Sequence, residues 1–212
     1  MADMLSTTAA APTIIRRVDY RAPDWLVPDI ALDFDLDPAL TRIHATLSVT
    51  RNGDHDRPLR LDGDGLVPLE VKVDGRLLDQ GEWHLEAGAL IVALPGRAHS
   101  VETLVELAPE SNSKLMGLYA SGGLLCTQCE AGGFRPITFF PDRPDVLSRY
   151  NVHMVADRAR FPVLLANGDP IEQGDLEGGR HWARWKDPFP KPCYLFALVA
   201  GDLACNADRF VT

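Results

Sequence analysis

The chain is poor in basic charge, in cysteine, in long apolar runs and in every familiar catalytic signature. Lys and Arg number 21 against 30 Asp and Glu, a formal net charge of −9. With no Lys/Arg-rich block, a polyanion would meet repulsion, which excludes nucleic acid as the expected partner. No segment nears the ~18 uninterrupted apolar residues that a membrane-crossing helix needs. The start, Met1 to Tyr20, also lacks a basic head followed by a long apolar run. A cytoplasmic location without a membrane partner is the expectation. Cys126, Cys129, Cys193 and Cys205 are too few for a disulfide-built secreted scaffold. The C-x-x-C at Cys126 and Cys129 allows half of a tetrahedral zinc site, but eleven residues separate the other two thiols. Reduced, largely buried cysteines are the expectation.

Catalytic groups are equally scarce. None of His44, His55, His84, His99, His153 and His181 is followed by Glu, and no two are spaced i, i+4, so the H-E-x-x-H zinc helix is absent. No G-x-S-x-G elbow, P-loop or G-x-G-x-x-G occurs either. Neither a catalytic residue nor a metal ligand is assigned in this chain.

What the chain does have is alternation. Ile30, Leu32, Phe34 and Leu36 alternate mainly with Asp, and Ile43, Ala45, Leu47 and Val49 with polar residues. Further period-two runs follow at Leu69–Val73, Leu90–Leu94, Val101–Leu107 and Tyr150–Ala156, and turn signals stand at Asp74-Gly75 and Asn167-Gly168. No window sustains helical spacing; "PDVLSRY" offers at most one helical turn. The implied fold is all-β, a β-sandwich or curved, saddle-like set of antiparallel sheets. Residues 1–15, rich in Ala and Thr, are expected to be flexible, and 16–212 to form one β-rich domain. The apolar "CYLFALVAG" is expected to be a strand buried on both faces.

One stretch fits neither core strand nor ordinary loop: "LLCTQCEAGGFRPITFFPDRPD", Leu124 to Asp145. Arg135, Asp142, Arg143 and Asp145 read as ion-paired struts, and Phe139, Phe140 and Trp185 as core or interface aromatics. Taken with "YRAPDW" (Tyr20 to Trp25), "IALDFDLDP" (Ile30 to Pro38), "PLRLDG" (Pro58 to Gly63) and "DPFPKPCYLFALVAGDL" (Asp187 to Leu203), it resembles the amino-terminal domain of the bacterial aminopeptidase N family, gluzincin zinc metallopeptidases. The ordered series T-Q-C-E, G-F-R, D-R-P-D is hard to obtain by chance.

The resemblance implies a parent reaction, the zinc-dependent hydrolytic release of amino-terminal residues from peptides. In that family the zinc-binding H-E-x-x-H and the substrate-gripping G-A-M-E-N belong to a following thermolysin-like catalytic domain of the same polypeptide. Neither motif is in this sequence, so this chain alone is expected to be inactive and free of zinc. The family's N-terminal domain lends a loop to the substrate pocket, and the matching positions here are Gln128 and Glu130. The implied partners are the peptide's amino terminus and the catalytic domain. The alternative is a self-contained β-sandwich binding module, for carbohydrate or calcium-dependent adhesion, with the Asp-rich "LDGDG" at Leu61 to Gly65 as part of an ion cage.

Overall fold

The computed structural model describes residues 16–209; the stretch 1–15 expected to be flexible lies outside them. The strands, in chain order, are β1 (Trp25–Asp35), β2 (Thr41–Arg51), β3 (Leu59–Asp62), β4 (Glu70–Val73), β5 (Arg76–Leu77), β6 (Trp83–Glu86), β7 (Ala89–Val92), β8 (Ala98–Leu107), β9 (Gly117–Ser121), β10 (Leu124–Gln128), β11 (Leu147–Asp157), β12 (Val163–Ala166), β13 (Asp169–Asp175), β14 (Arg180–Pro192) and β15 (Leu198–Gly201). They form a large sheet in the order β13-β14-β11-β1-β2-β8-β4-β5, a middle sheet β12-β15-β10-β9 and a small sheet β3-β7-β6. Among the described residues no helix is long and apolar enough to cross a membrane.

Period-two patterning sets which face of the large sheet is covered. Ile30, Leu32 and Phe34 of β1, Ile43, Ala45 and Leu47 of β2, and Tyr150, Val152 and Met154 of β11 all point inward and are fully buried or nearly so. The intervening Asp, Arg, His and Thr residues face outward. The middle sheet adds Leu118, Leu125 and Leu198, and the small sheet Leu59, Leu61 and Leu90, to the same buried cluster. Each such side chain contributes about 1.5–3 kcal/mol by leaving water, so this shared interior holds the three sheets together. Neighbouring strands of the large sheet pair antiparallel, except β1 and β11, which run parallel with Ile30 opposite Tyr150 and Leu32 opposite Val152. Asp74 (φ 51°) and Gly75 (φ 78°) make the tight hairpin between β4 and β5, with both central residues left-handed as a type I′ turn requires.

Two local turn expectations hold and one strand expectation changes. Asn167-Gly168 turns as expected, carrying the chain from β12 in the middle sheet to β13 in the large one. The Asn167 side chain accepts from the Ala197 amide (2.6 Å) and donates to the Leu195 carbonyl (3.2 Å), tying the turn to the lead-in of β15. "PDVLSRY" makes no more than the one turn expected: Val146 N–H bonds to the Arg143 carbonyl (3.3 Å), and β11 begins at Leu147. "CYLFALVAG" is not one doubly buried strand. Cys193–Leu195 is a single 3-10 turn with Leu195 half exposed, and only Leu198–Gly201 pairs as strand. The prolines preceding it fix an extended entry without supplying amide donors.

Candidate functional site: an exposed carboxylate on a braced loop

Gln128 ends β10, and Cys129, Glu130 and the residues to Phe140 form a compact loop between β10 and β11. Side chains alternate about the strand end: Gln128 and Glu130 are exposed while Cys129 between them is buried. The Gln128 amide donates to Glu130's own carbonyl (3.2 Å). The Glu130 carboxylate has no ion-pair or hydrogen-bond partner among the described residues. The Glu130–Ala131 peptide is cis.

The loop is held from within by packing. Phe134 is fully buried at the centre of an aromatic group, with ring centroids 5.2 Å from Phe140, 6.1 Å from Tyr150 and 5.2 Å from Phe196, all edge-on. Edge-to-face pairs of this kind add about 0.5–1.5 kcal/mol beyond area burial. Gly133 N–H bonds the Cys129 carbonyl (2.8 Å), folding the loop back on the strand end. A Cβ on Gly133 would overlap the Gln128 carbonyl oxygen and lie 2.8 Å from Cys129 Cα, so only glycine allows this approach.

A polar hub completes the bracing. The Asp142 side chain is 2% exposed and accepts from the Arg135 backbone N–H (3.1 Å), from Arg135 Nε (2.9 Å) and from the Cys193 thiol (3.0 Å). Arg135 Nη2 also donates to the Asp142 carbonyl (3.1 Å), and the Asp142 amide donates to Asp62 Oδ2 (3.2 Å). Next along the chain, Arg143 donates to both oxygens of Asp145 (2.8 and 2.6 Å) and to the Arg21 carbonyl (2.7 Å), while Tyr20 donates to Asp145 (3.0 Å). The hydrogen bond from Arg143 holds the Asp145 carboxyl below its ordinary range. Segments far apart in sequence, "YRAPDW", "PLRLDG", "GFRP" and "PDRPD", thus meet at one corner of the molecule. The struts expected of Arg135, Asp142, Arg143 and Asp145 are present.

Other expected features resolve into structure. Phe139 and Phe140 are fully buried, which leaves no aromatic platform there, and Trp185 is part-buried with its indole N–H on the Leu164 carbonyl (3.1 Å). The carboxylates of "LDGDG" diverge: Asp62 turns to the Asp142 amide and Asp64 toward Lys114 (3.5 Å), so they frame no calcium cage. All four cysteines are unpaired; Cys129 and Cys193 are buried, Cys126 half-buried and Cys205 exposed. Burial, followed by the nearby Asp142 charge, pushes the Cys129 thiol up to about 12. Burial and the Asp142 hydrogen bond drive Cys193 higher still. Sequence reasoning missed the Cys193 link and the back-packing of Gly133, both contacts that leave no local spacing.

Residues 70–195, more than half of the chain, match the Peptidase M1 N-terminal domain family. The chain belongs to that family. Relatives of this M1 N-terminal domain include aminopeptidase N of Caulobacter vibrioides, 53% identical over 95% of the chain and 23% of the relative. Aminopeptidase N of Escherichia coli K12 is 48% identical over 92% of the chain and 22% of its own length. The chain therefore spans under a quarter of the length of these two aminopeptidase N relatives. Among solved structures, Legionella pneumophila aminopeptidase A in complex with aspartic acid superimposes with a TM-score of 0.83 at 35% identity, over 88% of this chain and 22% of that one. An M1 zinc metallopeptidase of Deinococcus radiodurans, solved with a Tyr-Ser-Ala substrate, shares the fold with a TM-score of 0.71 at 20% identity, over 84% of this chain and 42% of that one. The M1 N-terminal domain does not itself fit zinc. No group of three or more His, Cys, Asp or Glu is placed to hold a metal among the described residues.

Proposed function

We propose that this domain is the amino-terminus-recognising part of a zinc aminopeptidase, with Glu130 receiving the substrate's α-ammonium and Gln128 flanking the first residue. Zinc, held elsewhere in the same polypeptide, supplies the hydrolytic chemistry; this domain supplies no ligand to it. The observation that carries the reading is Glu130 itself: an exposed carboxylate with no hydrogen-bond or ion-pair partner among the described residues, presented by a loop that packing and a buried hub hold in place. Aminopeptidase relatives covering 92–95% of the chain support it.

The electrostatics favour exopeptidase action. A peptide's α-amino group has a pKa of about 7.7–8.0, so most of it is cationic at neutral pH, whereas an internal peptide bond brings no charge. A carboxylate enclosed by substrate and neighbouring protein rewards the cation, and leaving it unpaired in that closed state is penalised. Selection of chain ends follows from that difference. Gln128 offers both a donor and an acceptor and can hold the first residue's backbone.

Glu130→Gln in the full-length enzyme keeps shape and removes charge. A charge-assisted hydrogen bond is worth about 1.5–3 kcal/mol, so kcat/KM on an alanyl anilide should fall roughly ten- to over a hundredfold with the melt unchanged. A kcat/KM within about twofold of wild type would remove Glu130 from recognition. The 212-residue chain alone should show no turnover of the same substrate.

A further inference from the structure

Resting on the recognition role of Glu130, we infer that Asp142, acting through Arg135, is the positioning residue that sets where the Glu130 carboxylate stands. The Glu130 carboxylate makes no hydrogen bond or ion pair among the described residues, so its position is inherited from the loop backbone. The backbone around it is fixed by few contacts. Gly133 N–H closes back on the Cys129 carbonyl (2.8 Å), and the Arg135 guanidinium stands beside Gly132, bordering the space a Cβ there would take, with Nη2 3.4 Å and Cζ 3.6 Å from that position. Gly132 is two residues from Glu130, and the Arg135 backbone N–H, three residues beyond Gly132, is held on the Asp142 carboxylate (3.1 Å), so the hub fixes the far end of the loop that carries Glu130.

The guanidinium in turn is aimed by Asp142. Arg135 reaches that residue by its backbone N–H, its Nε and its Nη2 at 3.1, 2.9 and 3.1 Å. A planar fork gripped at its Nε and Nη2 has little freedom to swing, unlike an ammonium on a flexible stem. Asp142 is anchored by groups outside the loop: the Cys193 thiol on its other oxygen (3.0 Å) and the Asp62 side chain on its amide (3.2 Å). Asp62 also pairs with Phe140 by two backbone hydrogen bonds, 2.8 and 3.1 Å. The Arg135 carbonyl accepts from the Asp64 amide (3.0 Å). The hub thus ties the loop to the end of the small sheet and to the turn that leads into β15. Recognition groups held on such a rigid support bind with little ordering cost, and a displacement of about 1 Å is enough to weaken productive binding by up to a hundredfold.

The test uses Arg135→Lys and Asp142→Asn in the full-length enzyme, beside Glu130→Gln. Arg135 is partly exposed, so the lysine variant keeps the charge and the fold while losing the fork. Both variants should raise KM for an alanyl anilide about tenfold with a smaller change in kcat. They should weaken inhibition by free alanine in proportion and leave inhibition by N-acetylalanine unmoved, a selectivity that simple loss of stability would not produce. Should Asp142→Asn fail to fold, the Arg135→Lys result decides. If the folded variants keep KM and the alanine inhibition constant within about twofold of wild type while Glu130→Gln loses both, Asp142 is only structural and the inference fails with the recognition role intact. If Glu130→Gln itself changes neither, the recognition role fails and takes this inference with it.

Discussion

The hub under the loop and the outer face of the large sheet use the same chemistry, a carboxylate gripped by an arginine fork. On the outer face Arg149 donates to both oxygens of Asp29, each at 2.7 Å, from the adjoining strand. At the hub Arg135 donates to Asp142 at 2.9 Å. The distances barely differ, but the Asp29 side chain is 40% exposed and that of Asp142 only 2%. Water competes for the first pair and screens it; the second has replaced water with four protein donors, counting both the side chain and the backbone oxygen of Asp142. Geometry alone therefore says little about what an ion pair is worth. Burial decides it, and the buried pair sits beside the group proposed to touch substrate.

The largest effect should come from Asp142→Ala, which strands the Arg135 fork and the Cys193 thiol. Breaking a buried pair costs about 3–5 kcal/mol, and the half-solvated guanidinium places this case near the lower end. Urea denaturation of the domain would measure it; a loss below about 1 kcal/mol would equate the hub with the outer face. Gly133→Ala should follow, at about 1–3 kcal/mol, because the added methyl is driven into the Gln128 carbonyl and the Cys129 Cα.

Alkaline titration sharpens the contrast further. Cys129 is raised to about 12 when folded, against about 8.5 for a free thiol. The native state therefore holds the proton more tightly, and this contribution is complete below about 8.5 and lost as pH climbs toward 12. Cys129→Ala should flatten that alkaline limb in stability measured against pH. In the wild type, Cys205 should react with a thiol reagent first, with Cys129 and Cys193 silent until unfolding. The smallest effect is reserved for Asp29→Ala, which should leave the denaturation midpoint within error of wild type.

Much of the regular architecture could be read from spacing. Ile30, Leu32 and Phe34, or Tyr150, Val152 and Met154, alternate because one face of the large sheet is covered and the other wet, and that asymmetry is written directly into the residue order. Asn167-Gly168 turns as its residues imply, but a dipeptide specifies a turn without specifying which sheet receives the outgoing strand. The apolar run at Cys193 looked like a buried strand because hydrophobicity is shared by turns packed on a core. At the candidate site, Gln128 and Glu130 stood out through family resemblance, and Arg135 and Asp142 were legible as a charged pair near one another in sequence. The thiol that completes the hub lies 51 residues beyond Asp142, and no local pattern announces such a contact.

The parallel seam between β1 and β11 has a consequence in time. On its far side β2, β8 and β4 stack beside β1, all within residues 25–107, while β11, β14 and β13 come from residues 147–192. During synthesis the first half can pair early, but its open edge at β1 must wait for more than a hundred residues before β11 arrives to close it. Closing so long a loop makes the seam a slow step, and until then β1 presents unpaired amides and carbonyls to any passing strand. The row of aspartates along that edge, Asp29, Asp33 and Asp35, repels a second copy of itself during the wait.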